Sequence, residues 1–155
     1  MSEFIDILSE TGEQIRQISH NMMPGELVKF GLVSAVKTTL EHVENNTLKT
    51  QLYTHDLENR IDQTKEIHTF RIIQEIVQNV LKHAKASTLN IHLNRYAKNL
   101  SVLVEDDGVG FTSDIENNTG MGLITIKNRV AYLNGKLHID SSKNRGTSYN
   151  INIPL

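Results

Sequence analysis

Glu75, Asn79 and Lys82 recur about one helical turn apart in the segment Arg71-Ile72-Ile73-Gln74-Glu75-Ile76-Val77-Gln78-Asn79-Val80-Leu81-Lys82-His83-Ala84. A carboxylate, an amide oxygen and an ammonium group on one stripe can hold a divalent cation and the phosphates it bridges. Mg2+ takes few protein oxygens and keeps waters or substrate phosphates, and lysine adds point charge for the same phosphates. His83 lies beside the stripe. The solvated face of an ordinary helix has the same pattern, so the stripe is informative only in company.

Three later segments supply that company. In Glu105-Asp106-Asp107-Gly108-Val109-Gly110-Phe111, two glycines let the backbone turn and approach a ligand closely. An acid at the end of the preceding strand can accept hydrogen bonds from the exocyclic amine of a base. A tight turn with solvated acids is the plainer reading, and the acid spacing of a calcium loop is missing. In Thr119-Gly120-Met121-Gly122-Leu123, glycines open a helix whose free N–H groups and dipole favour phosphate, though a loop entry would look the same. Arg145-Gly146-Thr147 precedes the last strand, where the threonine can reach a base or simply end a turn. Neither glycine pair completes G-x-G-x-x-G, since Ser113 and Thr125 fill the last positions, and no phosphate-binding G-x-x-x-x-G-K-[ST] exists.

The elements that must position these residues follow from periodicity. Residues 3–44 are expected to be helical, from Ile5, Leu8, Ile15 and Ile18 and again from Leu32, Val33, Val36 and Leu40, with a break at Pro24-Gly25. A first strand is expected over Leu48–Tyr53 and a helix over about 66–85, with Phe70, Ile73, Val77, Val80, Leu81 and Ala84 on its apolar side. Leu89, Ile91 and Leu93 alternate as a second strand. Leu100 to Val104 suit a third, buried on both faces, with Tyr96–Asn99 as the hairpin loop. A helix with Leu123, Ile126, Val130 and Leu133 follows the glycines, then a strand at Leu137 and Ile139, a turn at Asn144-Arg145-Gly146, and a last strand with Tyr149, Ile151 and Ile153. This order predicts an α+β layer of mostly antiparallel strands with helices on one face.

The chain has 155 residues, enough for one domain with a real core. Its formal charge of −2 gives no nucleic-acid footprint, and without cysteine it has neither disulfides nor thiolate sites. No signal peptide and no run of eighteen apolar residues is visible, so the sequons at Asn45, Asn99 and Asn117 read as chance matches.

Taken in order, the four segments resemble the GHKL ATPase superfamily, and within it the sensor histidine kinases paired with LuxR-type response regulators. Ile73 to Ser87 is similar to their N box, Asp106 to Phe111 to the G1 box, Gly120 to Val130 to the G2 box with its helix, and Gly146-Thr147 to the final motif. The match runs from about residue 48 to 155. It implies the two-layer α/β sandwich of the Bergerat type, a mixed, mostly antiparallel sheet with helices on one face. It also implies ATP and Mg2+: Asn79 holds the cation, and Glu75, directly or through water, orients the attacking group, these two being the catalytic pair. Lys82 contacts phosphate, His83 flanks the adenine, and Asp106 receives its amine. Gly108 and Gly110 line the base pocket, Gly120, Met121, Gly122 and Leu123 bring a helix N-terminus to the phosphates, and Thr147 meets the base. Residues 112–119 are expected to be a short lid over the nucleotide.

By the same resemblance, residues 1–45 are the later part of a dimerisation and phosphotransfer hairpin with its linker, and residues 46–155 the ATP-binding domain. Ser19-His20-Asn21-Met22-Met23-Pro24 superficially resembles an acceptor motif. However, its proline comes one residue early, and too little chain separates His20 from Leu48 for a complete hairpin. His20 is therefore expected to be a second-helix residue, with the acceptor histidine upstream of this chain. The implied partners are ATP, the acceptor helix, a response-regulator receiver domain and a second copy paired through the hairpin, with no direct nucleic-acid contact. The expected setting is a cytoplasmic domain, within a whole protein that could be membrane-anchored. A self-contained ATPase or anti-sigma-factor-like serine kinase of the same superfamily, and a non-catalytic interaction module, are the competing readings.

Overall fold

The computed structural model describes residues 24–111 and 120–155. The helix expected before Pro24, with His20, and the expected lid at 112–119 lie outside these residues.

Two helices begin the described chain. Helix α1 (Gly25–Phe30) ends at Gly31, and α2 (Leu32–Val43) follows at once. The expected helical stretch thus has a second break besides Pro24-Gly25. Gly31 takes φ 91°, and a Cβ there would lie 2.8 Å from the Arg60 side chain, so the break needs glycine twice over. Asn45 Oδ1 then accepts from the Thr47 and Leu48 amides at 2.8 and 2.9 Å, turning the chain into strand β1 (Lys49–His55).

Helix α3 (Gln63–Asn79) is capped by Asp62, whose carboxylate accepts from the Lys65 amide at 3.1 Å. It runs into a π-helical turn, Val80–Ala84, that ends where Lys85 takes φ 50°. Strands β2 (Thr88–Tyr96) and β3 (Asn99–Asp106) form a hairpin around Ala97 and Lys98, with Tyr96 opposite Asn99. Helix α4 (Met121–Tyr132) and strands β4 (Lys136–Ser141) and β5 (Thr147–Pro154) complete the order.

The five strands make one mixed sheet in the order β1-β2-β3-β5-β4. Only β1 and β2 are parallel, with α3 as their crossover, and every other pair is antiparallel. Leu89, Ile91 and Leu93 of β2, Leu100, Val102 and Val104 of β3, and Tyr149, Ile151 and Ile153 of β5 are buried on the face the helices cover. The other face is polar, with Tyr53 of β1 stacked on its register partner His92 at 4.6 Å. Two expectations change here. Strand β3 is buried on one face rather than both: Leu103 is only half-buried, opposite His92 and Asn150 on the polar side. Leu81 is 44% exposed rather than in the core, because the wider π turn rotates the residues after Asn79 away from the α-helical wheel.

Helices α1 and α2 share this core. Leu27, Leu32, Val36 and Leu40 belong to the same buried cluster as Phe70, Ile73 and the sheet residues. Arg60, in the connection after β1, ties them down. Its Nε and Nη2 donate to the buried Glu66 carboxylate of α3 at 2.9 and 2.6 Å, and its Nη1 and Nη2 donate to the α1 carbonyls of Val28 and Leu27 at 3.3 and 3.2 Å.

Candidate functional site

The C-terminal end of α3 and the first turn of α4 meet above the ends of β3 and β5, leaving a cavity of about 310 Å3. Its base is set by sheet register. Asp106 pairs with Thr147 and Val104 with Tyr149, so alternation along β5 turns Thr147 and Tyr149 to the helix-covered side together with Asp106. Asn79, Val80, His83 and Ala84 form one wall, Gly110 and Phe111 another, and Gly120, Met121, Gly122 and Leu123 a third.

Asp106 is 9% exposed, yet no cation pairs with it among the described residues. Its Oδ1 accepts from the Gly108 amide at 2.9 Å, and the Thr147 backbone also bonds it. Burial pushes its carboxyl above the ordinary value. The charge of Asp107 adds to this, while the Gly108 and Thr147 backbone donors pull it back. A carboxylate accepts about four hydrogen bonds, so Asp106 keeps capacity for a donor entering the cavity. Asp107 is spent on structure instead: one oxygen accepts from the Ser87 and Thr88 amides at 2.7 and 2.8 Å and fixes the start of β2. Its burial raises the carboxyl, but the bonds from Thr88 and Ser87 outweigh that and hold it below the usual range.

The glycines are dictated by close approach. A Cβ on Gly108 would lie 2.3 Å from the carbonyl of Ala84, a wall residue, while Gly108 itself is outside the cavity lining. Gly110, at φ 59°, would press a Cβ to 2.1 Å from the Ser142 carbonyl. A Cβ on Gly122 would stand 2.7 Å from Glu75 Oε1 and 3.0 Å from Asn79 Oδ1. Two oxygen donors of α3 therefore converge on the N-terminal turn of α4, whose N-cap, Gly120, has no side chain to satisfy the first amides. A hard cation that needs few protein oxygens, with anionic groups beside it, fits this donor set.

Ser141 ties the far wall together. Its hydroxyl accepts from the Phe111 amide at 2.9 Å and donates to the Gly146 carbonyl at 3.2 Å, and Thr147 Oγ1 lies 2.9 Å away. With the Ser141 proton on Gly146, Thr147 donates to Ser141 and keeps its own lone pairs for a ligand.

Of the residues singled out in the sequence, Asn79, His83, Asp106, Gly110, Gly120, Met121, Gly122, Leu123 and Thr147 line one cavity. Glu75 stands at its edge against Gly122, Gly108 packs against the wall residue Ala84 outside the lining, and Lys82 is exposed outside the lining. Val80, Ala84, Phe111 and Tyr149 also line it and were not singled out. Tyr149 was within reach, because it follows Thr147 on the same face of an alternating strand. Burial raises its phenol to about 12, the Asp106 charge adds to that, and the neighbouring Asn79 side chain opposes it.

Residues 64–155 match the family described as histidine kinase-, DNA gyrase B- and HSP90-like ATPases. The chain belongs to this ATPase family. It is 30% identical over 151 residues to the oxygen sensor histidine kinase NreB of Staphylococcus carnosus (strain TM300), covering 96% of this chain and 44% of NreB. It is 33% identical over 153 residues to the sensor histidine kinase ComP of Bacillus subtilis (strain 168), covering 97% of this chain and 19% of ComP. The chain therefore spans less than half the length of either relative. Its fold is that of the histidine kinase domain of the Erythrobacter litoralis EL346 blue-light activated histidine kinase, with a TM-score of 0.63 at 22% identity over 79% of this chain and 59% of that one. No helix among the described residues is long and apolar enough to cross a membrane.

Proposed function

We propose that this chain is the ATP-binding catalytic part of a two-component sensor histidine kinase, holding Mg-ATP and passing its γ-phosphoryl to a histidine on a helix outside the described residues. The observation that carries the reading is Asp106: a buried carboxylate without a cation partner among the described residues, at the base of a cavity walled by Asn79 and the N-terminus of α4. Such an acid can receive the exocyclic amine of adenine, with Thr147 as a second polar contact and Gly110 and Phe111 along the base. His83 flanks the base from the π turn.

Asn79 Oδ1 and Glu75 are the residues that would hold Mg2+, Glu75 directly or through water. The bound cation supplies charge neutralisation at the transferred phosphoryl group. Gly120, Met121, Gly122 and Leu123 bring backbone amides and the helix dipole to the phosphates, and Lys82 adds positive charge from outside the cavity. Glu75 beside Asn79 orients the attacking imidazole. The acceptor histidine, a receiver domain of a LuxR-type response regulator and a second copy of the chain are the partners in this reading.

We place the division between hairpin and catalytic unit nearer Pro24 than residue 45. Residues 25–43 pack in the catalytic core, and Arg60 fastens them there, so they move with the ATP site.

Calorimetric titration of the chain with ATP or ADP, with and without Mg2+, tests the reading. Nucleotide should bind, and Mg2+ should tighten ATP. Asn79→Ala should abolish the Mg2+-dependent gain, and its persistence in that variant would overturn the metal assignment.

A further inference from the structure

Asp106, Thr147 and Ser141 stand in one row across three strands, with Thr147 in the middle. Asp106 of β3 pairs with Thr147 of β5, and Thr147 pairs with Ser141 of β4. Asp106 and Thr147 are buried and line the cavity, whereas Ser141 lies outside the lining. A serine hydroxyl has one proton to give and two lone pairs with which to accept. The Ser141 hydroxyl has three neighbours to share them among: the Phe111 amide at 2.9 Å, the Gly146 carbonyl at 3.2 Å and the Thr147 hydroxyl at 2.9 Å. The amide can only donate and the carbonyl can only accept. One arrangement satisfies all three, and in it the Thr147 proton is committed to Ser141. The backbone holds that arrangement in place. Gly146 takes φ 78°, with its absent Cβ 1.9 Å from the Asp106 carbonyl, and the Asn144 amide donates to the Val109 carbonyl at 2.7 Å.

We propose that Ser141 is a positioning residue that fixes the polarity of Thr147, and through it selects a base carrying an amine over one carrying a carbonyl. The inference rests on the reading of the cavity as a nucleotide site with Thr147 against the base. With its proton committed, Thr147 offers the cavity lone pairs only, and ionised Asp106 is likewise an acceptor only. Two acceptors side by side suit the two N–H groups of an exocyclic amine. A carbonyl oxygen in the same place would leave buried polar groups unmatched, which is the costly kind of mismatch. A Thr147 hydroxyl free to rotate could donate to that carbonyl, and the discrimination would rest on Asp106 alone. Ser141 thus acts through Thr147 without touching the base.

The test is calorimetric titration with ADP and with inosine diphosphate, which carries a carbonyl where ADP carries its amine. Wild type, Ser141→Ala, Thr147→Val and the double variant are compared. Wild type should prefer ADP. Ser141→Ala should cut that preference about three- to tenfold, the usual worth of one hydrogen bond, mainly by tightening inosine diphosphate. Thr147→Val should weaken ADP without weakening inosine diphosphate, and adding Ser141→Ala to it should change the preference no further. An equal loss of both nucleotides in Ser141→Ala marks a packing defect and overturns the proposal. So does a preference that falls again in the double variant, because Ser141 would then act by another route. Should Ser141→Ala fail to fold, Thr147→Val decides alone: weaker inosine diphosphate there means that Thr147 donates to the base, and unchanged ADP means that its hydroxyl is not read. If neither nucleotide binds wild type, the nucleotide reading itself fails, and the role of Ser141 falls with it.

Discussion

Glu66 and Asp106 are both buried carboxylates, and they have opposite surroundings. Glu66 is 3% exposed and gripped by Arg60 through Nε and Nη2, while the same guanidinium closes the end of α1. Its lone pairs serve the fold. Among the described residues, Asp106 is buried with only backbone donors, no cation and a cavity beside it. Burying a charge without a partner is costly, and proteins generally pair such groups. The difference separates an acid that holds the structure together from one held ready for a ligand. The Glu66 end explains how α1 and α2 are fastened to the sheet domain; the Asp106 end explains what that domain carries.

Exchanging each acid for its amide should break the two ends in different ways. Asp106→Asn should cost the largest effect on binding: losing a charge-assisted acceptor for the base amine is worth about 1.5–3 kcal/mol, roughly ten- to hundredfold in ADP affinity. Its thermal midpoint should hold or rise, because an unpaired buried charge is removed. Calorimetry and a melt on the same sample check both. A variant that loses stability along with affinity would show that Asp106 is a structural acid like Glu66.

Glu66→Gln should give the reverse pattern. It removes the charge that Arg60 grips, at a cost of about 1–3 kcal/mol in denaturant unfolding, with ADP affinity of the folded protein unchanged. Gly31→Ala attacks the same end more gently. Its Cβ would meet Arg60 at 2.8 Å at a φ of 91°, for about 1–2 kcal/mol of strain. Chemical denaturation checks both variants, and a loss of nucleotide affinity in either would mean the two ends are coupled.

The two ends were unequally legible. The Asp106 end was written in short motifs, since close approach demands glycine at 108, 110 and 122 and a strand end must place the acid. Alternation in β2 and β5 and the periodicity of α3 and α4 carried most of the fold. Arg60 had no local signature: its carbonyl partners are more than thirty residues away, and a loop arginine looks like any solvated cation. Tyr149 carried no site signal, because an aromatic in an alternating strand usually is core. Leu103 looked buried because hydropathy records the residue, not which face of the sheet the helices cover. The π turn had no marker either, which is why Leu81 was assigned to the wrong side.

The smallest predicted effect is a pH dependence, and it distinguishes Asp106 from its neighbour Asp107. The Asp106 carboxyl is raised, so the folded chain holds that proton more tightly than the unfolded chain. Its contribution to stability is therefore present below the unfolded carboxylate value, about pH 4, and is lost as pH rises through the raised folded value. Affinity for the base runs the other way, because the charged acceptor disappears as pH falls through the same value. Asp107 is lowered, so its contribution is present above the unfolded value and is lost as pH falls through the folded one. ADP titrations from neutrality down toward pH 4 should lose affinity while the protein is still fully folded, beginning above the ordinary carboxylate range. In Asp106→Asn this early loss should vanish, leaving a flat, weak profile until acid unfolding begins. If the decline in wild-type affinity tracks unfolding instead, the buried charge at Asp106 is not what the nucleotide reads.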